Sequence, residues 1–369
     1  MNKVAATLIN EGFERCKQEP SLFSRVTEKG TIWCGLYIDD GLLVYTNKEE
    51  VEELYATMQS DQYGFKLKAE DNPPDYVGFQ IRYFEDSAIG IHADRYVDTI
   101  LKAFDPDNQI QEHRMPYDTS IPDSKLAKEA VQPEQLNKKL QHKYRKIIGC
   151  LLYLTTTVRV DLLYAVHRLT RFITRCGPTH LKAAEYTLGY LKYTRSKKPM
   201  IVYQPGRTED TLTPNFDVFV DSGYISSEDA KSTSSWITRF NYAPVSWHCG
   251  LQSINALSSC EAEYIALTSA FKQAVWTKQL MFGLNVDIGR FRVFEDNIGT
   301  IRLTAQATFF KRSKHILNRY HYVRIISASM AEMKYVHTDK QLADLNTKVI
   351  TTPAKFEKLR NAMMVFSDE

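Results

Sequence analysis

Along the first third of the chain, apolar positions switch between a two-residue and a three-to-four-residue spacing, as strands alternating with helices do. Ile32 to Ile38 and Leu42 to Tyr45 read as two apolar strands joined by a tight acidic turn, Asp39-Asp40-Gly41. A helix with a capping-box start, Asn47 to Glu50, follows, with Val51, Leu54, Tyr55 and Met58 at helical spacing. Strands near Tyr76 to Tyr83 and Ile89 to His92 come next, then a helix from Tyr96 to Phe104.

Residues 105–133, rich in proline and polar side chains, read as a connecting loop. Helical periodicity then runs through Gln135 to Thr157, Asp161 to Cys176 and His180 to Thr194, with Gly177-Pro178 as a stop. A boundary falls around Gln204 to Thr213. Beyond it the strand period returns at Phe216 to Asp221, Ser234 to Phe240 and Pro244 to His248. A long helix, Cys260 to Phe282, precedes a strand at Arg290 to Glu295 and a helix at Asn297 to Thr304. The pattern closes with a strand at Met333 to His337 and a helix at Gln341 to Lys348. This β-β-β-α-β-α-β-α order predicts an α/β layer with acidic residues at element ends.

Composition narrows the picture further. Hydrophobic residues at 43% and aromatic residues at 12% argue for packed domains rather than disorder. No apolar run approaches the length of a membrane span, and the first ten residues lack the layout of a signal peptide. The six cysteines show no paired C-x-x-C spacing, so free thiols are expected rather than a zinc site or disulfides. The net charge of +3 conceals an asymmetry. From Asp105 to Pro205 there are 17 Lys and Arg against 9 Asp and Glu, leaving the remainder of the chain acidic. A basic middle suits a surface that holds a polyanion, and a solvated helical face rich in Lys is the plainer alternative.

Phosphodiester cleavage assisted by two divalent ions needs carboxylates that converge from different elements. Four acids stand where this is met: Asp221 at a strand end, Glu261 at a helix start, Asp296 after a strand and Asp344 on the last predicted helix. Singly, each is as well explained as a turn residue, a cap or a helix-edge acid. Their order and context carry the signal. Phe219-Val220-Asp221-Ser222, Lys231-Ser232-Thr233-Ser234, Val245-Ser246-Trp247 and Leu257-Ser258-Ser259-Cys260-Glu261-Ala262-Glu263-Tyr264 resemble the RNase H domain of copia-type retrotransposons. Glu295-Asp296-Asn297, Arg312-Ser313-Lys314-His315 and Ala343-Asp344-Leu345-Asn346-Thr347-Lys348 continue that resemblance.

The resemblance implies that Asp221, Glu261, Asp296 and Asp344 bind two Mg²⁺ ions, with Mn²⁺ as a substitute, and cut the RNA strand of an RNA–DNA hybrid. Glu263 and Asp217 are the near misses, lying close in sequence to Glu261 and Asp221. His337 is a candidate auxiliary group for product release, or an ordinary surface histidine. Lys311, Arg312, Lys314, Arg319 and Arg324, with aromatic and histidine residues interleaved, form a candidate nucleic-acid-binding run.

Near the N-terminus, Tyr37-Ile38-Asp39-Asp40 presents two adjacent carboxylates between strands, a means of holding Mg²⁺ against a triphosphate. Together with Pro20-Ser21-Leu22-Phe23, Tyr76-Val77-Gly78-Phe79 and Tyr144-Arg145-Lys146-Ile147, this turn resembles the palm of copia-type reverse transcriptases, with Asp39 and Asp40 as catalytic acids and Asp39 as a metal ligand. The implied fold combines α/β and α+β parts. It has a partial ferredoxin-like palm over residues 1–104, a basic helical thumb or connection over 105–205, an RNase H-like mixed sheet over 212–350 and a tail over 351–369. In the family a further palm Asp and the fingers lie upstream of Met1, so no independent DNA synthesis is expected of this chain.

Implied partners are the RNA–DNA hybrid, template-primer nucleic acid and the upstream polyprotein segments (fingers and integrase), with no membrane. An intracellular setting is implied, in the cytoplasm within a virus-like particle or in the nucleus. Val158-Arg159-Val160-Asp161 replaces the family's usual Thr-Arg-Pro-Asp, and Cys260 replaces a typical Thr. A non-catalytic, nucleic-acid-binding relic of a retroelement is the alternative reading.

Overall fold

The computed structural model describes residues 3–205, 214–224, 231–305 and 317–367. Its contacts divide into two compact units, Met1–Gly78 with Gln273–Gly289, and Phe79–Lys272 with Arg290–Glu369.

In the first unit, strands Glu14–Arg15, Leu22–Val26, Thr31–Tyr37 and Asp40–Tyr45 form an antiparallel sheet in chain order. Tyr37 pairs with Asp40, so the turn is Ile38-Asp39, one step before the expected Asp39-Asp40-Gly41. Ile38 takes the corner at φ 54, a left-handed conformation that strains a β-branched residue. Propensity alone would not place Ile there, which is why the acidic pair drew the prediction forward. Helix Lys48–Gln59 begins as predicted, with Asn47 Oδ1 accepting from the Glu49 N–H at 2.9 Å. The expected capping box is not completed, because Glu50 turns inward and accepts from the Thr27 hydroxyl at 2.6 Å. Leu8, Phe13, Phe23, Ile32, Leu54 and Met58 form this unit's core.

The second unit opens with the hairpin Phe79–Tyr83 and Ile89–His92, to which Ile201–Tyr203 adds an antiparallel strand. Helices Asp94–Phe104, Lys138–Thr157 and Pro178–Arg195 follow the predicted periodicities closely, whereas the one expected over Asp161 to Cys176 is shorter, Leu163–Thr170. The expected loop over 105–133 also holds a short helix, Asp123–Lys128, anchored by Leu126 in the core and by Asp123 pairing with Arg168 at 2.7 Å. This segment lies close along the helix Pro178–Arg195, where a Cβ on Gly189 would collide with the Gln111 carbonyl. Several of the basic side chains here are paired with acids of the same segment, which leaves its surplus of positive charge unchanged. Lys192 pairs with Asp105, Lys143 with Glu185, and Arg159 with Asp161.

The largest sheet has the order Ala243–Leu251, Thr233–Phe240, Phe216–Gly223, Phe291–Glu295, Ala331–Tyr335. The first three strands are antiparallel, and Phe291–Glu295 runs parallel to both of its neighbours. Its central strand is buried almost throughout, as a strand covered on both faces should be. Helix Ser259–Gly283 follows the third strand. The expected helix Gln341 to Lys348 is instead two short 3₁₀ turns, Thr338–Lys340 and Leu342–Asn346.

The expected thumb and RNase H segments share one hydrophobic core. Leu151, Leu154 and Leu188 of the helices are buried in the same cluster as Phe219, Ile237 and Leu345. The Trp247 indole N–H donates to the Thr155 carbonyl at 2.6 Å, fastening sheet to helix. Among the described residues, no helix is long and apolar enough to cross a membrane.

Candidate active site

Strand pairing brings the first two acids together. The parallel register sets Arg292 beside Asp217 and Phe294 beside Phe219. Carried two residues further, that register places Asp296 level with Asp221, just past the last paired residues of the two strands. Ligands gather at the carboxyl ends of parallel strands in open α/β sheets. The Phe219 and Phe294 rings stack at 4.6 Å just before those ends and hold the two strands in step. Helix Ile298–Ala305 then leaves from Asn297, whose side chain accepts from the Thr300 N–H at 3.1 Å and fixes the turn at Asp296.

The third acid is set by Gln341, which sequence reasoning passed over. Its buried side-chain amide donates to the Val220 carbonyl at 2.9 Å and the Phe294 carbonyl at 3.3 Å, bridging the two strand ends. The same side chain accepts from the Ala343 N–H at 3.3 Å, so the 3₁₀ turn carrying Asp344 is hung from the sheet. Asp221, Asp296 and Asp344 therefore converge, each offering a carboxylate oxygen within 4.8 Å of the others.

A second group, Glu263, Glu295 and Asp296, meets the same distance and shares Asp296 with the first. Glu261 belongs to neither group. Its carboxylate folds back to accept from the Leu257 N–H at 3.0 Å, serving the exposed amides at its own helix start. Residues two apart on a helix point in different directions, so only one of these two glutamates can face the strand ends. The structure turns Glu263 that way, which corrects the expectation for Glu261. Glu295 was missed as well, although alternation along Phe291, Val293 and Glu295 puts all three on the buried face of the strand.

Asp217, the other near miss, has a different role. It lies four residues back along the strand, where Arg292 pairs with it at 2.6 Å and Arg239 at 3.3 Å. At about 3.3 Å per residue, that puts it well away from Asp221.

Electrostatics set the acid group apart from the rest of the surface. Burial pushes the Asp221 carboxyl up to about 7, with Asp344 and Asp296 adding to the rise and Lys348 and Thr347 opposing it. Burial likewise raises Asp344, and raises Glu263 and Glu295 well above the usual carboxylate range, where neighbouring acids add to the shift. Lys348 pairs with Asp344 at 2.7 Å and lies 3.7 Å from Asp221. Burial works against its charge, but the two aspartates outweigh that and raise its pKa.

These shifts fix the sign of a pH effect. Each raised carboxyl favours folding in its protonated form. That contribution is complete below the unfolded value of about 4 and is lost as pH climbs through the folded value, about 7 for Asp221. Without divalent cations, the melting temperature is expected to fall between about pH 4 and pH 7. Asp221→Asn is expected to raise it by a few degrees at about pH 8. A variant that melts below wild type there would contradict this.

The remaining predicted residues are less informative. Asp39 and Asp40 are exposed, and among the described residues no third metal-ligating side chain joins them. His337 is exposed and accepts from the Asp339 N–H at 3.3 Å, next to Thr338, whose hydroxyl donates to Asp296 at 2.8 Å. Lys311, Arg312 and Lys314 lie outside the described residues, and Arg319 and Arg324 are half-buried on helix Leu317–Ser329.

Mixed strand order, with acids gathered at the ends of the parallel strands, defines a mixed α/β layer with an acidic site at one end. No protein-family model matches the chain. Similarity to whole proteins is broad, and over 94% of its length the chain resembles copia-type retrotransposon Pol polyproteins. The retrovirus-related Pol polyprotein from transposon TNT 1-94 of Nicotiana tabacum is 26% identical over 357 residues, 94% of this chain and 25% of that protein. That from transposon RE1 of Arabidopsis thaliana is 28% identical over 353 residues, 94% of this chain and 22% of that protein. The chain thus spans about a quarter of the length of the curated relatives it matches. Among solved structures, the N-terminal RNase H domain of rv2228c from Mycobacterium tuberculosis, in a fusion with maltose binding protein, aligns with 41% of this chain and 99% of that one. Its identity is 10% and its TM-score 0.29, which adds no weight to the topology.

Proposed function

We propose that this chain hydrolyses the RNA strand of RNA–DNA hybrids at the acid group, in a divalent-cation-dependent reaction. The observation that carries this reading is the convergence of Asp221, Asp296 and Asp344 from three elements at the ends of parallel strands. The relatives are Pol polyproteins by name, which makes nucleic acid the natural substrate class.

The donor set fits Mg²⁺ or Mn²⁺. It is all carboxylate, and Glu263 Oε2 and Glu295 Oε2 are buried with no hydrogen-bond partner, so a cation would satisfy them. Asp221, Glu263, Asp296 and Asp344 would hold two ions, and bound divalent ions supply an activated water and charge neutralisation on the phosphate and the leaving oxygen. The residues themselves do the positioning. Gln341 fixes the separation of the strand ends, and the Thr338 hydroxyl orients Asp296. Thr347 donates to Asp221 and sets which carboxylate oxygen is left for a ligand. In this reading His337 assists product release, and Arg319 and Arg324, with Lys311, Arg312 and Lys314 from the same run of sequence, supply positive charge to the hybrid's backbone.

The Tyr37-Ile38-Asp39-Asp40 turn gives a weaker case for polymerisation. Its two acids lack a third ligand among the described residues, so this chain alone is not expected to add nucleotides. Purified protein mixed with a labelled hybrid and Mg²⁺ should release short RNA fragments. Asp296→Asn should slow that release by about a thousandfold. Template-directed nucleotide incorporation by the same preparation would overturn the polymerase half of the reading. Absence of cleavage by folded wild-type protein would leave a nucleic-acid-binding relic instead.

A further inference from the structure

Five carboxylates crowd one end of the sheet, but their counter-charges are distributed unevenly. On one side, Asp344 has two lysines, Lys348 at 2.7 Å and Lys355 at 3.8 Å. Lys348 also reaches Asp221 at 3.7 Å. Its ammonium therefore lies between two acids of the first group, where a cation bridging them would lie.

The other side has no such partner. Among the described residues, no ion pair reaches Glu263 or Glu295, and each has one buried oxygen without a hydrogen bond. Glu295 is fully buried on the strand face it shares with Phe291 and Val293. Its other oxygen accepts from the Asn297 N–H at 3.0 Å, and backbone amides are the donors that its carboxylate meets. Glu263 is 7% exposed and reaches this face from helix Ser259–Gly283. A carboxylate placed at an apolar strand position is costly unless something compensates its charge. Two of them meeting there, with Asp296 completing the group, are the donors expected of a hard-cation site.

We propose that Glu263, Glu295 and Asp296 form the position that takes a divalent cation first, without nucleic acid, while Lys348 stands in for the second cation between Asp221 and Asp344. This rests on reading the acid group as a metal site, and it adds two elements: Glu295 as a fifth carboxylate ligand, and Lys348 as a built-in cation. The two halves then fill in a fixed order. One ion enters the glutamate half of the free protein. The aspartate half accepts its ion only when Lys348 swings away, and the phosphates of a bound hybrid offer its ammonium another partner. Lys348 is half-buried, its side chain 44% exposed, so such a movement needs no rearrangement of the core.

Calorimetric titration of the full chain with MnCl₂, and separately with MgCl₂, in the absence of nucleic acid tests this. Wild type should bind one equivalent. Glu295→Gln, which keeps the side-chain shape, should weaken that site at least tenfold, and Lys348→Met should reveal a second equivalent. Glu261→Gln should match wild type. Circular dichroism and melting temperature check that each variant is folded. Should Glu295→Gln fail to fold, Glu295→Asp replaces it, because the shorter side chain withdraws the carboxylate and should weaken the site likewise. Two equivalents in wild type, no binding at all, or unchanged affinity in folded Glu295 variants would overturn the proposal, as would a single equivalent in Lys348→Met. Because the readout is cation binding, it stands or falls separately from hybrid cleavage.

Discussion

Glu263→Gln is expected to reduce hybrid cleavage by about a thousandfold, whereas Glu261→Gln should change it by less than about threefold. The two glutamates are separated by one alanine and are equally prominent in the sequence, yet they do different work. Glu261 answers the backbone N–H of Leu257 at the start of its helix. Losing that contact costs a cap, worth about 1 kcal/mol of stability, and leaves the strand ends untouched. Glu263 faces Asp296 and Glu295 and offers a buried oxygen that nothing else satisfies. Removing its charge removes a ligand from the reacting centre. The measurement is initial rate on a labelled hybrid at saturating Mg²⁺, with melting temperatures recorded alongside. Equal losses in the two variants would contradict the assignment.

Asp161→Ala is expected to lower stability by about 3–5 kcal/mol, a drop in melting temperature of about 5–10 °C. Arg159 is 1% exposed and forms a two-pronged pair with Asp161, with both nitrogen–oxygen distances at 2.9 Å. Tyr190 donates to the same carboxylate at 2.7 Å, and Arg159 also donates to the Thr194 hydroxyl at 3.0 Å. Burial works against both charges, yet their mutual attraction keeps Asp161 lowered and Arg159 raised. Deleting one partner leaves a guanidinium in the core with no counter-charge, which costs more than the pair itself contributes. A double variant, Arg159→Met with Asp161→Ala, should recover much of the loss. Thermal unfolding followed by circular dichroism checks both, and a single variant that melts within a degree or two of wild type would count against this account.

Asp221, Asp296 and Asp344 could be found in the sequence because each sits in a distinct phrase and the phrases come in a fixed order. Strand periodicity also foretold the two parallel strands whose ends carry the first two. What the chain concealed was the phase of one helix and the depth of one strand. Whether Glu261 or Glu263 faces the sheet depends on where the first helical turn begins, and Ser258, Ser259 and Cys260 allow either start. Glu295 was legible in principle, since Phe291 and Val293 mark its face as buried, but an acid beside Asp296 looks like part of a turn. Gln341 gave no signal, because a side-chain amide gains meaning only when two strand ends arrive on either side of it. The Ile38 corner was hidden for a different reason: tertiary packing holds a residue in a conformation its own chemistry disfavours.

The reading as a hybrid-cutting enzyme meets its most direct test in strand and substrate selectivity. One preparation of the full chain is given, with Mg²⁺, a hybrid labelled separately on its RNA and DNA strands, the matching double-stranded RNA and the matching double-stranded DNA. The account predicts cuts within the RNA of the hybrid alone, abolished by EDTA and by Asp296→Asn. Cleavage of all three duplexes, or cleavage that survives Asp296→Asn, would contradict it.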